Sequence, residues 1–284
     1  MKAFRFWLGL SVACATCMAA DEVSTFKAYV DSDLCARLML GPITEKRTEC
    51  SQSTVKDGAE PVLVRLTNNM VFTVNKQKMI RPLVGQLAEV SGQPKPKNGT
   101  MKLQEAKAVD NQSIPAGDPG RRLLDARMYK TEGSAQLYEK IRHELAMLPY
   151  LTEYDFISFS LMGSDVILTG WTVRSTNRSS AYNVVKDIPG VESVINNIEE
   201  LPVGSMDNQI RARARAALQS NLSRYFWGSG SAIKIVVKNG NIIMLGMVQN
   251  KSDSDIAFMR CNSVPGAFKV FNLLQIEEKK SKGA

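Results

Sequence analysis

A fixed internal offset is the strongest constraint on what this chain can fold into. Gly170 matches Gly246, Ala181 matches Ala257, Pro189-Gly190 matches Pro265-Gly266, Val194 matches Val270 and Asn196 matches Asn272, each 76 residues apart. Upstream, Leu137, Ile141 and Leu145 match Ile210, Ala214 and Leu218 at an offset of 73. The slip of three is absorbed if Gly228-Ser229-Gly230 is a loop insertion in the second copy. Self-similarity at one period marks a structural unit copied in tandem, so the C-terminal half must fold as two like modules.

Each copy reads as the same order of elements. Leu137, Ile141, Leu145 and Leu148 recur at helical spacing, and Pro149 ends that helix. Phe156 to Leu161 alternates as a strand, with Ile157, Phe159 and Leu161 on one face and Phe156, Ser158 and Ser160 on the other. Gly163-Ser164 turns the chain into Val166 to Leu168. Ser175 or Thr176 is positioned to cap a second helix, which places Ala181, Val184 and Val185 inward; Pro189-Gly190 stops it before a third strand from Val191 to Ile198. The second copy predicts a helix from about Asn208 and strands over Ile233–Val237 and Ile242–Val248 around Asn239-Gly240. A helix from about Ser252 and a last strand from Phe268 to Ile276 complete it. Such a module puts both helices on one face of a three-stranded sheet. The other face must stay polar or be covered, and two copies side by side are able to cover each other. A unit of this size is marginal alone.

From Gly163 to Asn196, with Leu168-Thr169-Gly170-Trp171 and Ile188-Pro189-Gly190-Val191, the first copy resembles a BON domain. Lys238-Asn239-Gly240-Asn241 through Gly246, and Val264-Pro265-Gly266 to Asn272, resemble a second one. The motif is one of turn glycines and core aliphatics, so it specifies fold more than function. The resemblance implies relatives among osmotically induced, stress-responsive envelope proteins. Such modules are thought to bind phospholipid surfaces or to assist other exported proteins, and the family brings no catalytic residues.

Upstream of the repeats, Thr25–Val30, Pro61–Leu66, Val71–Val74, Gly85–Val90 and Met101–Val109 read as five short strands, a set that suits a small Greek-key barrel. The segment resembles small OB-like domains of exported bacterial proteins through Asp31-Ser32-Asp33-Leu34-Cys35, Cys50 and the strand between Gly85 and Gly92. The fold class expected is therefore α+β, an OB-like barrel followed by two α-β-β-α-β modules. The expected domains are a signal peptide at 1–20, the barrel at 21–110, a Pro- and Gly-containing linker at 111–134, and repeats at 135–203 and 204–279.

Lys2, Arg5, the apolar run Phe6–Ala15 and the small residues Ala19-Ala20 carry the signal-peptide reading. Ser11 and Cys14 stand three positions before Cys14 and Cys17, where a lipoprotein site places a large aliphatic, so acyl anchoring is not expected. Removal of the leader leaves 34 basic against 28 acidic side chains, a balance of +6. That permits attraction to anionic surfaces without arguing for nucleic acid. An exported, periplasmic location allows Cys35 and Cys50 to form a disulfide, the alternative being two reduced thiols; Cys261 reads as buried.

Chemistry is sparse. His143 is the sole histidine, placed on a solvated helix face, and Glu199-Glu200 and Glu277-Glu278 read as solvated strand ends. No catalytic constellation, metal set, cofactor or small-molecule substrate is expected. The surface feature that stands out is Arg211, Arg213 and Arg215 followed by Arg224, Tyr225, Phe226 and Trp227. Arginines beside aromatics suit an anionic phospholipid or membrane surface, with Arg211, Arg213, Arg215, Arg224, Tyr225 and Trp227 as the candidate contacts. The competing reading is a solvated helix face followed by aromatics that close the module's core, and at least one of the three rings is expected there. The alternative function is a chaperone-like scaffold that binds other envelope polypeptides.

Overall fold

Alternation in the first third of the chain closes into a five-stranded barrel. A computed structural model describes residues 23–39, 41–110, 114, 135–202, 204–227 and 231–277. The expected leader, the expected loop insertion Gly228-Ser229-Gly230, residues 278–284 and all of 111–134 except Ile114 lie outside the described residues. Strands β1 (Ser24–Ser32), β2 (Pro61–Arg65), β3 (Val71–Val74), β4 (Leu87–Lys95) and β5 (Thr100–Ala108) run in the order β1-β2-β3-β5-β4, closed by β1 against β4. Only β3 and β5 pair parallel. Phe26, Ala28, Val30, Leu63, Phe72, Val90 and Leu103 fill the interior, and Ile80 of α3 (Gln77–Ile80) packs into it.

Two helices that the β pattern did not foretell lie between β1 and β2: α1 (Asp33–Leu38) and α2 (Glu45–Lys56). They cover the outside of the barrel, so Tyr29, Val62 and Val64 are buried on that side, together with Ala36 and Ile114. The inward face of α2 is Arg47, Ser51 and Val55, which carries almost no apolar signal. It docks through charge instead. Arg47 donates to the fully buried Asp31 at 2.9 and 2.8 Å, and Ser51 donates to the same carboxylate. A disulfide joins Cys35 of α1 to Cys50 of α2, with Cα atoms 6.2 Å apart.

The two repeats have the same architecture. Repeat 1 comprises α4 (Ala135–Ala146), β6 (Phe156–Met162), β7 (Asp165–Thr172), α5 (Ser175–Lys186) and β8 (Ser193–Glu200); β7 is central, antiparallel to β6 and parallel to β8. Repeat 2 comprises α6 (Ser205–Leu222), β9 (Ile233–Lys238), β10 (Asn241–Val248), α7 (Lys251–Asn262) and the short pair β11 (Lys269–Asn272) and β12 (Gln275–Ile276). Here β10 is central, with β9 antiparallel and β11 and β12 parallel. The last predicted strand is thus broken in two. The α5 cap also differs from expectation: Ser175 is the first helical residue, and Arg174 stands at the cap with no side-chain hydrogen bond.

The matched residues do matched work. Asn196 donates to the Arg178 carbonyl at 3.1 Å and accepts the Ile198 N–H at 3.1 Å; Asn272 does the same with Ser254 (3.1 Å) and Leu274 (3.3 Å). Each asparagine therefore ties its last strand to its second helix. Gly170 and Gly246 have φ of +122° and +108°, and a Cβ there would strike the Phe156 or the Ala232 carbonyl oxygen.

On the helix side, Ile141, Leu145, Val166, Leu168, Ala181 and Val185 form one core, and Ile210, Ala214, Leu218, Ile235, Met244 and Ala257 form the other. The opposite sheet faces meet. Trp171 and Phe156 of repeat 1 share a cluster with Val236, Ile243, Leu245 and Phe271 of repeat 2, and Leu34, Leu38 and Ala59 of the barrel join it. The repeats cover each other as the duplication suggests, but with the barrel as a third party.

Gly246→Ala is expected to lower the thermal midpoint far more than Gly163→Ala. Both replace a positive-φ glycine, at +108° and +64°, but only the first also drives a Cβ into backbone. The second should cost about 1 kcal/mol. Differential scanning calorimetry of the two variants separates strain from collision.

Candidate functional site

A helix turns 100° per residue, so side chains two apart point in nearly opposite directions. Arg211, Arg213 and Arg215 therefore do not form one patch on α6. Arg211 is buried and donates to Asn208 Oδ1 at 2.5 Å and to the Val237 carbonyl at 2.8 Å. Arg213 is exposed on one flank and donates to the Pro265 carbonyl at 3.0 Å. Arg215, on the other flank, pairs with Glu153 of repeat 1 at 2.8 Å. The clustered-arginine surface expected from the sequence is thus dispersed by helical geometry.

Past Leu222 a short 3-10 turn, Ser223–Phe226, splits the aromatics. Tyr225 turns into the core of repeat 2, where its hydroxyl donates to Asp253 Oδ2 at 2.5 Å and accepts the Gln249 N–H at 2.9 Å. Arg224 lies over the Tyr225 ring, 4.9 Å from its centroid, and pairs with Asp253 at 2.5 Å while staying half exposed. Trp227 projects outward at 78% exposure. The backbone then links this end of the module together: Ala232 donates to the Tyr225 carbonyl at 2.8 Å, and Met247 donates to the Ala232 carbonyl at 3.1 Å. Met247 is 48% exposed, and Ile276, paired beside Val248, is 45% exposed. Trp227, Met247 and Ile276 thus stand at one end of repeat 2 with Arg224 and the exposed Lys251. The spacing in sequence, 20 or more residues between the three apolar members, gave no hint of it.

A second feature escaped the sequence altogether. Where the barrel meets both repeats, Arg37 of α1 pairs with Asp33 at 2.7 Å and with Glu199 at 3.0 Å. Lys238 of repeat 2 pairs with Asp33, Glu60 and Glu199 at 2.9, 3.0 and 2.8 Å. Arg37 also donates to the Asn197 carbonyl and lies 5.7 Å over the Trp171 ring. Burial pushes the Asp33 carboxyl up, but Arg37 and Lys238 outweigh it and hold the group below the ordinary carboxylate value. Burial lowers Lys238, and Asp33, Glu199 and Glu60 more than reverse that. Glu199 is raised by burial and by its neighbour Asp33. Glu199 is therefore no solvated strand end; the β8 edge carries it into the junction, whereas Glu200 is exposed.

His143 is exposed on α4, and burial pushes the Cys261 thiol up to about 12, which keeps it protonated and unreactive. Among the described residues no His/Cys/Asp/Glu group could hold a metal ion.

A tandem of α-β-β-α-β modules with paired turn glycines and linking asparagines defines a class of duplicated α+β modules. The BON domain family model matches residues 134–202 and 206–278, half of the chain, and the protein belongs to that family. No curated protein matches the chain. Among solved structures, the chain is similar to CdsD, a structural protein of the Type III secretion system of Chlamydia trachomatis, at 13% identity over 50% of this chain and 92% of that one, with a TM-score of 0.21. The C-terminal domain of CdsD matches at 12% identity over 51% and 98%, also with a TM-score of 0.21. At these scores the fold description rests on the chain's own topology.

Replacing Lys238 with Met leaves three carboxylates at the junction with Arg37 alone, and removing one partner of a buried ion pair costs about 3–5 kcal/mol. Lys238's contribution to stability is complete below its ordinary value of 10.5 and disappears as the pH rises through the higher folded value. Asp33's contribution has the opposite limit: present above its unfolded value near 4, lost as the pH falls, and partly offset there by Glu199 taking up a proton. Urea unfolding should show the variant less stable than the parent from neutral pH up to 10.5, with the gap beginning to narrow only above that value.

Proposed function

We propose that this protein works in the cell envelope, where the exposed end of the second repeat associates with an anionic phospholipid surface. The observation that carries this reading is Trp227, 78% exposed just past the 3-10 turn, at the same end of repeat 2 as Met247, Ile276 and Arg224. An indole is favoured at the boundary between headgroups and acyl chains, and basic residues near such a surface contribute about 1 kcal/mol each. Arg224 and Lys251 supply the cations at this end, held by Asp253 and Asp255; Arg213, bonded to the Pro265 carbonyl, and Arg211 and Tyr225, committed inside the module, are not part of the surface. Membership in the BON family supports the reading. An envelope location is supported by the leader-like residues 1–20 and by the disulfide, which suits an oxidising compartment. No helix of the described residues is long and apolar enough to cross a membrane.

Trp171 is fully buried and Trp227 is not, so a difference spectrum against Trp227→Phe isolates one reporter. Vesicles of phosphatidylglycerol and phosphatidylcholine are expected to shift its emission to the blue and to co-sediment the protein, less so in high salt. Trp227→Glu should weaken co-sedimentation about tenfold or more. Equal behaviour with neutral phosphatidylcholine vesicles, or indifference to Trp227→Glu, would overturn the reading.

A further inference from the structure

Between the barrel and repeat 1 lies a groove of about 470 Å³, separate from the Trp227 end of repeat 2. One wall is β3 and the turn into β5, which contribute Thr73, Asn98 and Thr100. The other is the edge of β8 and its continuation, residues 196–202, with Arg178 of α5 beside it. The volume falls within the roughly 300–1,000 Å³ of ligand sites, which favour boundaries between domains. Its floor is fixed on both sides. Val71 donates its N–H to Asn197 Oδ1 at 3.0 Å, and Asn197 Nδ2 donates to the Asn69 carbonyl at 2.7 Å, so barrel and repeat are clamped at the groove.

The charges lining the groove are unequally satisfied. Glu199 is bound by both Arg37 and Lys238, so neither it nor Arg37 is available. Glu200 is exposed, where water screens it. Arg178 is half-buried, and its guanidinium makes no hydrogen bond or ion pair with the described residues. Partial burial, with the nearby Arg37, holds it below its ordinary value even though Glu200 and Glu199 pull the other way, so its charge is only partly offset. A guanidinium presents five donors in a planar fork that matches a carboxylate. The side chains of Asn98, Thr73 and Thr100 likewise make no hydrogen bond with the described residues, and they offer neutral donors and acceptors across the groove.

We infer that this groove binds a carboxylate-bearing ligand, an acidic segment of extended polypeptide, with the carboxylate paired to Arg178 and the chain running along the β8 edge between Asn98 and Thr100. The long wall of residues 196–202 favours an extended chain over a compact metabolite. Free carboxylates share the chemistry at Arg178 but leave the rest of the wall unused.

The test is NMR titration of the full chain, reading the Arg178 Nε–H and the Asn98 side-chain amide, with pentaglutamate and N-acetylglutamate as probes. Pentaglutamate is expected to shift both resonances and to bind at least about tenfold more tightly than N-acetylglutamate. Arg178→Gln should weaken pentaglutamate about tenfold or more, the loss of one charge-assisted contact, and Arg178→Lys should weaken it less. Asn98→Trp should block the groove with Arg178 intact. Because Arg178 makes no side-chain hydrogen bond or ion pair with the described residues, Arg178→Gln should melt close to the parent, which separates a binding defect from misfolding. Equal affinity for both probes would overturn the polypeptide and leave a site for small free acids. No shift with either probe, or shifts that persist in Arg178→Gln and Asn98→Trp, would overturn the site itself. The vesicle experiment on Trp227 is independent of either result.

Discussion

Everything in this molecule leans on the burial of two sheet faces that their own modules leave bare. An α-β-β-α-β unit protects one side of its sheet with helices and has nothing for the other. Trp171 and Phe156 on one sheet and Val236, Ile243, Leu245 and Phe271 on the other solve this jointly, with Leu34 and Ala59 of the barrel completing the enclosure. The barrel is thus a structural member of the repeat pair. Hydrophobic contact is indifferent to orientation. The ions at the rim are not: Lys238 reaches carboxylates from the barrel and from repeat 1 at once, and Arg37 bridges the same two bodies. Apolar area supplies the attraction, and the charges select one arrangement out of many.

The repeat architecture was legible because its signals are local and doubled. Gly170 and Gly246, Pro189 and Pro265, and Asn196 and Asn272 each mark a turn, a stop or a linking hydrogen bond that the backbone requires wherever the module is built. The barrel strands were legible from alternation and came out within a few residues. Helix α2 was not, because a helix is read from an apolar stripe and this one turns Arg47 and Ser51 inward. Their partner Asp31 lies 16 and 20 positions back, so nothing in a local window exposes the contact.

The candidate site was legible only in part. Trp227 and Arg224 were singled out as a composition, and the 3-10 turn delivers them to the surface while drawing Tyr225 in. Arginines at alternate positions look clustered on the page, yet a helix scatters them, and Arg211 ends up serving the Val237 carbonyl. The companions Met247 and Ile276 arrive through sheet pairing, which sequence spacing does not encode. Glu199 and Glu200 looked alike as neighbours and differ because a strand sends consecutive side chains to opposite faces.

Helix α1 has only six residues, far below the length at which a helix holds itself together in water. It nevertheless supplies Asp33, Leu34 and Arg37 to the three-body seam, and Cys35 is its covalent tether to α2. The oxidation state of two sulfurs is therefore felt well beyond the barrel that contains them. A chain kept reduced would present a loosened wedge to its own repeats, and one that is oxidised would present a finished one. Closing the seam and closing the disulfide are thus two demands on the same short helix.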